Sequence, residues 1–407
     1  MYNAVICRYH EIAIKGNNRR EFERQLVGNM RDLLRGRVEC RVRQVRGRVW
    51  IEPPEPGKLF SEAEQTTLRD ALSRCFGLES FSPARLVPPE MEAIRAAASE
   101  IARPVFSAAL AEKPRVRFRI RARRSDKSFP LRSKEIEIAL AAVAAETVGA
   151  ERLDVDLDNP ELSLGCEVRE EFAALFLETF RGPGGLPVGS NGKVLVLLSG
   201  GIDSPVCAYR MMKRGCAVDF LTFHSAPYTP PESEEKVRAL AELLNRFQHP
   251  GTLYLCNLAP LQKQIRDRCN ERDRTVLYRR AMLRIAEKVA ARCGAGALAT
   301  GEAVGQVASQ TLRNLATINA AVRILILRPL CGADKSELIR MAEEIGTYPI
   351  SIRKAPDSCT VFAPASPATS VPESVALAEE AKIPDYDRLL AEIADSIVSC
   401  RPGAPEA

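Results

Sequence analysis

Apolar positions along the chain follow different rhythms in its two halves. From residue 193 onward, short continuous apolar runs alternate with segments whose apolar residues fall three and four apart. The runs at 194–198, 218–223, 252–255, 297–300 and 324–327 read as strands buried on both faces. The segments at 205–214, 232–247, 275–292 and 334–345 read as helices between them. The last opens on Asp334 three residues before Glu337, the spacing of a capping box. Such alternation predicts a doubly wound parallel sheet, an α/β fold whose ligands sit at the carboxyl ends of the strands. The loops at 199–204, at Phe223-His224 and at Gly301-Glu302 all fall at such ends, so they are expected to converge on one crevice.

The first half is mixed. Residues 1–60 read as strand, helix and hairpin, with Phe22, Leu26, Met30 and Leu33 at helical spacing and Pro53-Pro54-Glu55-Pro56-Gly57 closing the unit. Residues 61–166 contain an alanine-rich helix (91–102), a strand (115–124), a helix (133–148) and a strand near 153–157, a small α+β unit. A connector is expected at 167–180, the third unit over 181–390, opening on the linker Arg181-Gly182-Pro183-Gly184-Gly185-Leu186-Pro187, and a tail over 391–407. The strand at 115–124 alternates with period two. Val116, Phe118, Ile120 and Ala122 take one face, and Arg115, Arg117, Arg119, Arg121 and Arg123 take the other. Arginines without interleaved acid repel one another unless an anion lies on them, which makes nucleic-acid phosphate the natural candidate. The plainer alternative is a solvated sheet face. A second basic region spans 35–48.

Composition narrows the class. With 407 residues, 46% hydrophobic and 27% charged, the chain is expected to be a soluble protein of two or three domains. No apolar run reaches bilayer-spanning length, and the first fifteen residues lack a secretory core, so a cytoplasmic location without membrane is expected. Twelve cysteines are scattered without a C-x-x-C pair, and three histidines give no zinc spacing. The sharpest chemical signal is the apolar run from Lys193 to Leu198 ending in Ser199-Gly200-Gly201-Ile202-Asp203-Ser204-Pro205. Two glycines before a helix start present backbone N–H groups and a positive dipole end to a phosphate. The loop lacks the ending of a Walker loop and the spacing of a dinucleotide fingerprint, and instead resembles the pyrophosphate loop of N-type ATP pyrophosphatases. Three more segments carry candidate chemistry. The stretch from Gly301 to Gln310 follows a strand and can hold nucleotide, or be an ordinary loop. Tyr278-Arg279-Arg280 places one arginine towards phosphate and the other towards solvent. Cys359, close after Arg353-Lys354, is either a thiolate favoured by two cations or a packed thiol.

Together these segments resemble the tRNA sulfurtransferase (4-thiouridine synthetase) family, in its short form without a rhodanese domain. Arg8-Tyr9-His10-Glu11-Ile12, Phe76 through Pro83, Gly184 through Gly189, Leu197 through Ser204, Thr300 through Thr311 and Cys359 through Thr369 carry the likeness. The resemblance implies a ferredoxin-like domain, a tRNA-binding THUMP domain and a pyrophosphatase domain, in that order. It implies that ATP adenylates the uridine at tRNA position 8 and that a protein persulfide then supplies the sulfur. Nucleotide would contact Leu197, Leu198, Thr222, Phe223, Arg279, Gly301 and Gln310. Ser199, Gly200, Gly201, Asp203 and Ser204 would hold pyrophosphate, with Asp203 orienting Mg²⁺. Cys359 would carry sulfur from a PLP-dependent cysteine desulfurase, and sulfur for the thiamine thiazole is implied as well. A homodimer is compatible with the resemblance. His10 stands where the family has glycine, and Thr222 where histidine is common. Pro356, three before Cys359, removes the C-x-x-C of iron–sulfur relatives, so no cluster is expected. Cys207 and Cys400 are the candidates for releasing the sulfur, an external thiol being the alternative. Competing readings are another tRNA-modifying enzyme of the same superfamily, or a tRNA-binding protein with an inactive nucleotide site.

Overall fold

The computed structural model describes residues 1–45, 47–356 and 361–403. It divides into two compact units, Met1–Gly185 and Leu186–Ala407. The first unit is built on one nine-stranded sheet. Its elements are β1 (Ala4–Arg8), α1 (Arg19–Leu34), β2 (Arg41–Val45), β3 (Arg48–Glu52), α2 (Glu62–Leu72), β4 (Ser80–Val87), α3 (Met91–Glu112), β5 (Val116–Arg124), α4 (Ser133–Val148), β6 (Leu153–Val155), β7 (Leu162–Val168), β8 (Ala173–Phe176) and β9 (Phe180–Arg181). The strands lie in the order β2-β3-β1-β4-β8-β7-β5-β6, with β9 beside β4.

Strand alternation gives this sheet two unlike faces. Val5, Cys7 and Phe81 pack with Leu26, Met30 and Leu68 of α1 and α2. Phe118, Ile120 and Leu175 pack with Ile94, Ile101, Ile136 and Leu140 of α3 and α4. All four helices therefore cover one face, and residues one step along each strand point to the other. Two expectations differ from the structure. The alanine-rich helix continues to Glu112 through Pro104, because Ile101, Ala102, Phe106 and Leu110 keep burying one stripe against the sheet. Residues 167–180, expected as a connector, contain the end of β7, all of β8 and the start of β9. Runs this short carry too little alternation to announce themselves.

The second unit is a six-stranded sheet in the order β14-β13-β10-β11-β12-β15. Its strands and helices follow as β10 (Lys193–Leu197), α5 (Asp203–Lys213), β11 (Ala217–His224), α6 (Pro231–Asn245), β12 (Leu253–Asn257), α7 (Ala259–Arg268), α8 (Arg274–Cys293), β13 (Ala297–Ala299), α9 (Leu312–Asn319), β14 (Leu325–Leu327), α10 (Lys335–Glu344), α11 (Tyr348–Ser351), α12 (Glu373–Glu380), α13 (Tyr386–Asp395) and β15 (Val398–Cys400). The five strands from β10 to β14 are parallel, as the alternation predicts. Among the described residues, only β15 runs antiparallel, against β12. Helix α8 packs Leu277, Ala281 and Ile285 against Leu195, Leu221 and Leu298. Asp334 caps α10 by accepting from Glu337 N at 2.9 Å. The region from 391, expected as a tail, supplies the end of α13 and the edge strand β15. Among the described residues no helix is long and apolar enough to cross a membrane, and all eleven described cysteines are free thiols.

Candidate nucleotide site and basic sheet face

The loop after β10 is shaped by its two serines. Ser199 N donates to Ser204 Oγ at 2.9 Å, and that hydroxyl in turn donates to Ser199 O at 3.2 Å. Gly201 N donates to Ser199 Oγ at 3.3 Å. The turn so closed delivers the chain into α5 at Asp203, with the helix N-terminus facing the strand ends. The loop after β13 lies directly against it. A Cβ at Gly301 would stand 2.8 Å from Ser204 N and 2.9 Å from the Asp203 carbonyl carbon, so only glycine allows this approach.

A cavity of about 200 Å³ opens where these loops meet. Of the residues singled out in the sequence, Leu197, Leu198, Ser199, Gly201, Asp203, Ser204, Phe223, Arg279, Gly301 and Gln310 line it. Gly200 and Thr222 line a neighbouring cavity of about 170 Å³, shared with Phe223, Lys236 and Ser351. Gln310 is only 7% exposed, and its side-chain oxygen has no donor among the described residues. A buried carbonyl left in this state costs about 1–3 kcal/mol, which a ligand amine would recover.

Electrostatics of the site centre on two carboxylates. Glu302 is 5% exposed. It is held by Arg279 at 2.6 Å, Arg328 at 2.8 Å and the Thr300 hydroxyl at 2.9 Å. Burial alone would raise its pKa; the two guanidiniums and the hydroxyl more than offset that, leaving the carboxyl below its ordinary range. Asp203 pairs with Lys335 at 2.7 Å and accepts from Gln306 Nε2 at 2.9 Å. Sequence reasoning missed Lys335 and Arg328. Lys335 directly follows the capping residue Asp334, so the local pattern there reads as a helix start and carries no separate signal for a site. The expectation for Arg280 is corrected. It is fully buried, paired with Glu380 at 2.7 Å and donating to Thr317 O at 2.5 Å, so it ties α8 to α12 and does not face solvent.

Cys359 lies outside the described residues. The segment before it is anchored: Lys236 Nζ donates to Arg353 O at 2.8 Å and Ser233 Oγ to Pro356 O at 2.9 Å. Cys207 is wholly buried, and burial pushes its thiol far above the usual range. That protonated state disfavours it as a resolving thiol. Cys400 sits half-buried in β15, its sulfur accepting from Arg238 Nη1 at 2.8 Å.

In the first unit the arginine strand alternates as expected, with Val116, Phe118, Ile120 and Ala122 buried. The neighbouring strand region changes its charge balance. Arg115 pairs with Asp154 at 2.8 Å and Arg117 with Asp156 at 3.5 Å. Arg119 donates to Ser163 Oγ and Leu157 O, each at 3.1 Å. Acid absent from the strand itself is thus supplied by the adjacent one. Among the described residues, Arg121 and Arg123 have no such partner.

Known proteins match the chain along its length. The family model for the thiamine biosynthesis protein (ThiI) matches residues 189–383, that for the ThiI ferredoxin-like domain 4–82, and that for the THUMP domain 89–178. A curated relative from Moorella thermoacetica, named a probable tRNA sulfurtransferase, is 43% identical over 91% of both chains. One of the same name from Treponema pallidum is 45% identical over 88% of this chain and 86% of its own. Among solved structures, a 4-thiouridine synthetase–RNA complex with bound ATP superposes with a TM-score of 0.87 and 36% identity, covering 98% of this chain and 99% of that one. PH1313 from Pyrococcus horikoshii follows at a TM-score of 0.63 and 25% identity, covering 84% and 99%.

Proposed function

We propose, from the premise that this chain belongs to the ThiI family of tRNA sulfurtransferases, a division of the family's reaction among its residues. The protein is a transferase that uses ATP to thiolate a uridine of tRNA. The observation that carries the assignment is the cavity in which the phosphate loop, Arg279 and the unsatisfied Gln310 carbonyl meet. The Gln310 oxygen suits the exocyclic amine of adenine, and Leu197 and Phe223 offer apolar surface to the base. The amides at Gly200, Gly201 and the start of α5 receive the pyrophosphate, with Lys335 offsetting charge beside them.

The chemistry follows from leaving groups. Uracil O4 attacks the α-phosphorus, pyrophosphate departs into the loop, and O4 becomes part of an AMP ester. The terminal sulfur of a persulfide on Cys359 then attacks C4, and AMP leaves with that oxygen. A thiol attacking Cys359 sulfur releases 4-thiouridine and leaves a disulfide, which two electrons from further thiol reduce. A PLP-dependent cysteine desulfurase reloads Cys359, and the same persulfide would serve thiazole synthesis. Uridine 8 is the target in this reading. Among the described residues no group of three carboxylate, cysteine or histidine side chains forms a metal cage. Asp203, a single carboxylate at the loop, fits Mg²⁺ that arrives on the triphosphate and keeps most of its waters. No iron–sulfur cluster enters the proposal.

Product analysis tests this directly. Protein, ATP and a tRNA transcript together should yield AMP and pyrophosphate, and leaving out the transcript should largely stop both. ADP and orthophosphate as products would contradict the assignment of the loop.

A further inference from the structure

Opposite its helices, the nine-stranded sheet of the first unit gathers three guanidiniums around one carboxylate. Glu167 lies 3.5 Å from Arg8, 3.8 Å from Arg48 and 3.4 Å from Arg169. The side chains of Arg8, Arg48 and Arg169 are only 16%, 23% and 10% exposed. Among the described residues, one carboxylate thus lies within ion-pair distance of three guanidiniums in a half-buried site. Arg8 stacks over Phe176 at 4.6 Å, and Arg169 over Trp50 at 5.4 Å, which fixes both planes. Arg8 Nη2, Arg48 Nε and the fully buried Trp50 Nε1 are without acceptors among the described residues. A structural ion-pair cluster would be expected to balance its charge and satisfy its donors. Among the described residues, donors of Arg8, Arg48 and Trp50 are left unsatisfied here.

Ladder register shows what lies beside it. Arg123 pairs with Glu167, and Arg121 with Gly165, across β5 and β7. Glu167 pairs in turn with Ala174, Ala174 with Leu86, Ser82 with Ile6, and Ile6 with Trp50. Paired residues share a face, and so do residues two apart. The unpartnered Arg121 and Arg123 therefore stand on the same face as Arg8 and Arg48. We propose that Arg8, Arg48 and Arg169 form a phosphate site that grips the RNA backbone where it crosses this face beside Arg121 and Arg123. Phosphate suits the site because guanidinium forks bind it in two-point fashion and donors of Arg8 and Arg48 lack acceptors among the described residues. Glu167 holds the three side chains in place and is a positioning residue that competes with the phosphate. The inference rests on tRNA being the substrate.

The test compares Arg48→Gln, Arg48→Lys and Glu167→Gln in the full-length protein, each checked by thermal melt, with a tRNA transcript titrated from low to moderate salt. Losing one phosphate contact should weaken binding by about 3–10-fold near 0.1 M salt and reduce the slope of log K against log salt by about 0.7–0.9. Arg48→Lys should recover most of the slope. Glu167→Gln should tighten RNA binding, since it removes the competing charge, while ATP affinity stays unchanged in all three. Unaltered affinity and slope in Arg48→Gln would overturn the proposal. So would Glu167→Gln weakening RNA as much as Arg48→Gln does, because the cluster would then be packing alone. Failure of the unmodified protein to bind tRNA would overturn the substrate reading too, whereas normal binding with indifferent variants would overturn only this site.

Discussion

Asp203 and Glu302 look alike in sequence, each an acid in a glycine-containing loop after a strand, yet they are placed for different tasks. Asp203 opens α5 at the mouth of the cavity, tied to Lys335 and Gln306. Asp203→Ala should reduce ATP-dependent activation by at least about a hundredfold, the range for loss of a key electrostatic group. It should leave tRNA affinity nearly unchanged, because the basic face belongs to the other unit. Pyrophosphate release at the unmodified rate would refute this role. Glu302 is instead a buried counter-charge for Arg279 and Arg328. Removing one member of such a cluster costs about 3–5 kcal/mol, so Glu302→Gln should melt markedly lower at neutral pH. Its folded-state pKa is depressed, so its stabilisation is complete above its unfolded value and is lost as pH falls through the folded one. The gap between mutant and parent melts should therefore narrow below about pH 4.3, the ordinary glutamate range; a gap constant with pH would argue against the ion pairs. The sequence placed Asp203 and Gln310 in loops at strand ends expected to converge, and both line one cavity. It could not reveal Lys335 or the burial of Arg280, since both depend on helices packed across long sequence separation.

At the scale of elements, regular patterning was legible and short or irregular pieces were not. The parallel strands and α4 announced themselves by apolar runs and helical spacing, and Gly182-Pro183-Gly184-Gly185 marked the division between units. The elements β8 and β15 span only four and three residues, and nothing in them separates strand from loop before the neighbouring strand is known. Two predictions belong here. Gly301→Ala would push a methyl into the backbone at the start of α5; overpacking of this kind costs about 1–3 kcal/mol, so ATP affinity should fall by about 5–100-fold. Titration of nucleotide by calorimetry reads this, and unchanged affinity would mean the two loops can part freely. The arginine strand should behave as two halves. Arg121→Gln with Arg123→Gln should lower tRNA affinity and flatten its salt dependence more than Arg115→Gln with Arg117→Gln, whose charges are already met by Asp154 and Asp156. Equal effects from the two pairs would show that the acids do not matter.

For the whole molecule, the proposal assigns affinity for RNA and adenylation chemistry to separate compact units, so on that reading they should fail independently when mutated. Cys359→Ser should keep ATP-dependent release of pyrophosphate yet form no thionucleoside, because a hydroxyl cannot carry a persulfide. Cys207→Ala and Cys400→Ala should separate the resolving routes: full rates over many turnovers in both would assign the last thiol to a molecule outside the chain. Most direct is the measurement of the product itself. Unmodified tRNA is incubated with the protein, ATP, cysteine and a PLP-dependent cysteine desulfurase, then digested to nucleosides and separated by chromatography. The account predicts 4-thiouridine that depends on ATP and is lost in Asp203→Ala and Cys359→Ser. Absence of 4-thiouridine in the complete mixture, or its formation at an undiminished rate by Asp203→Ala, would contradict it.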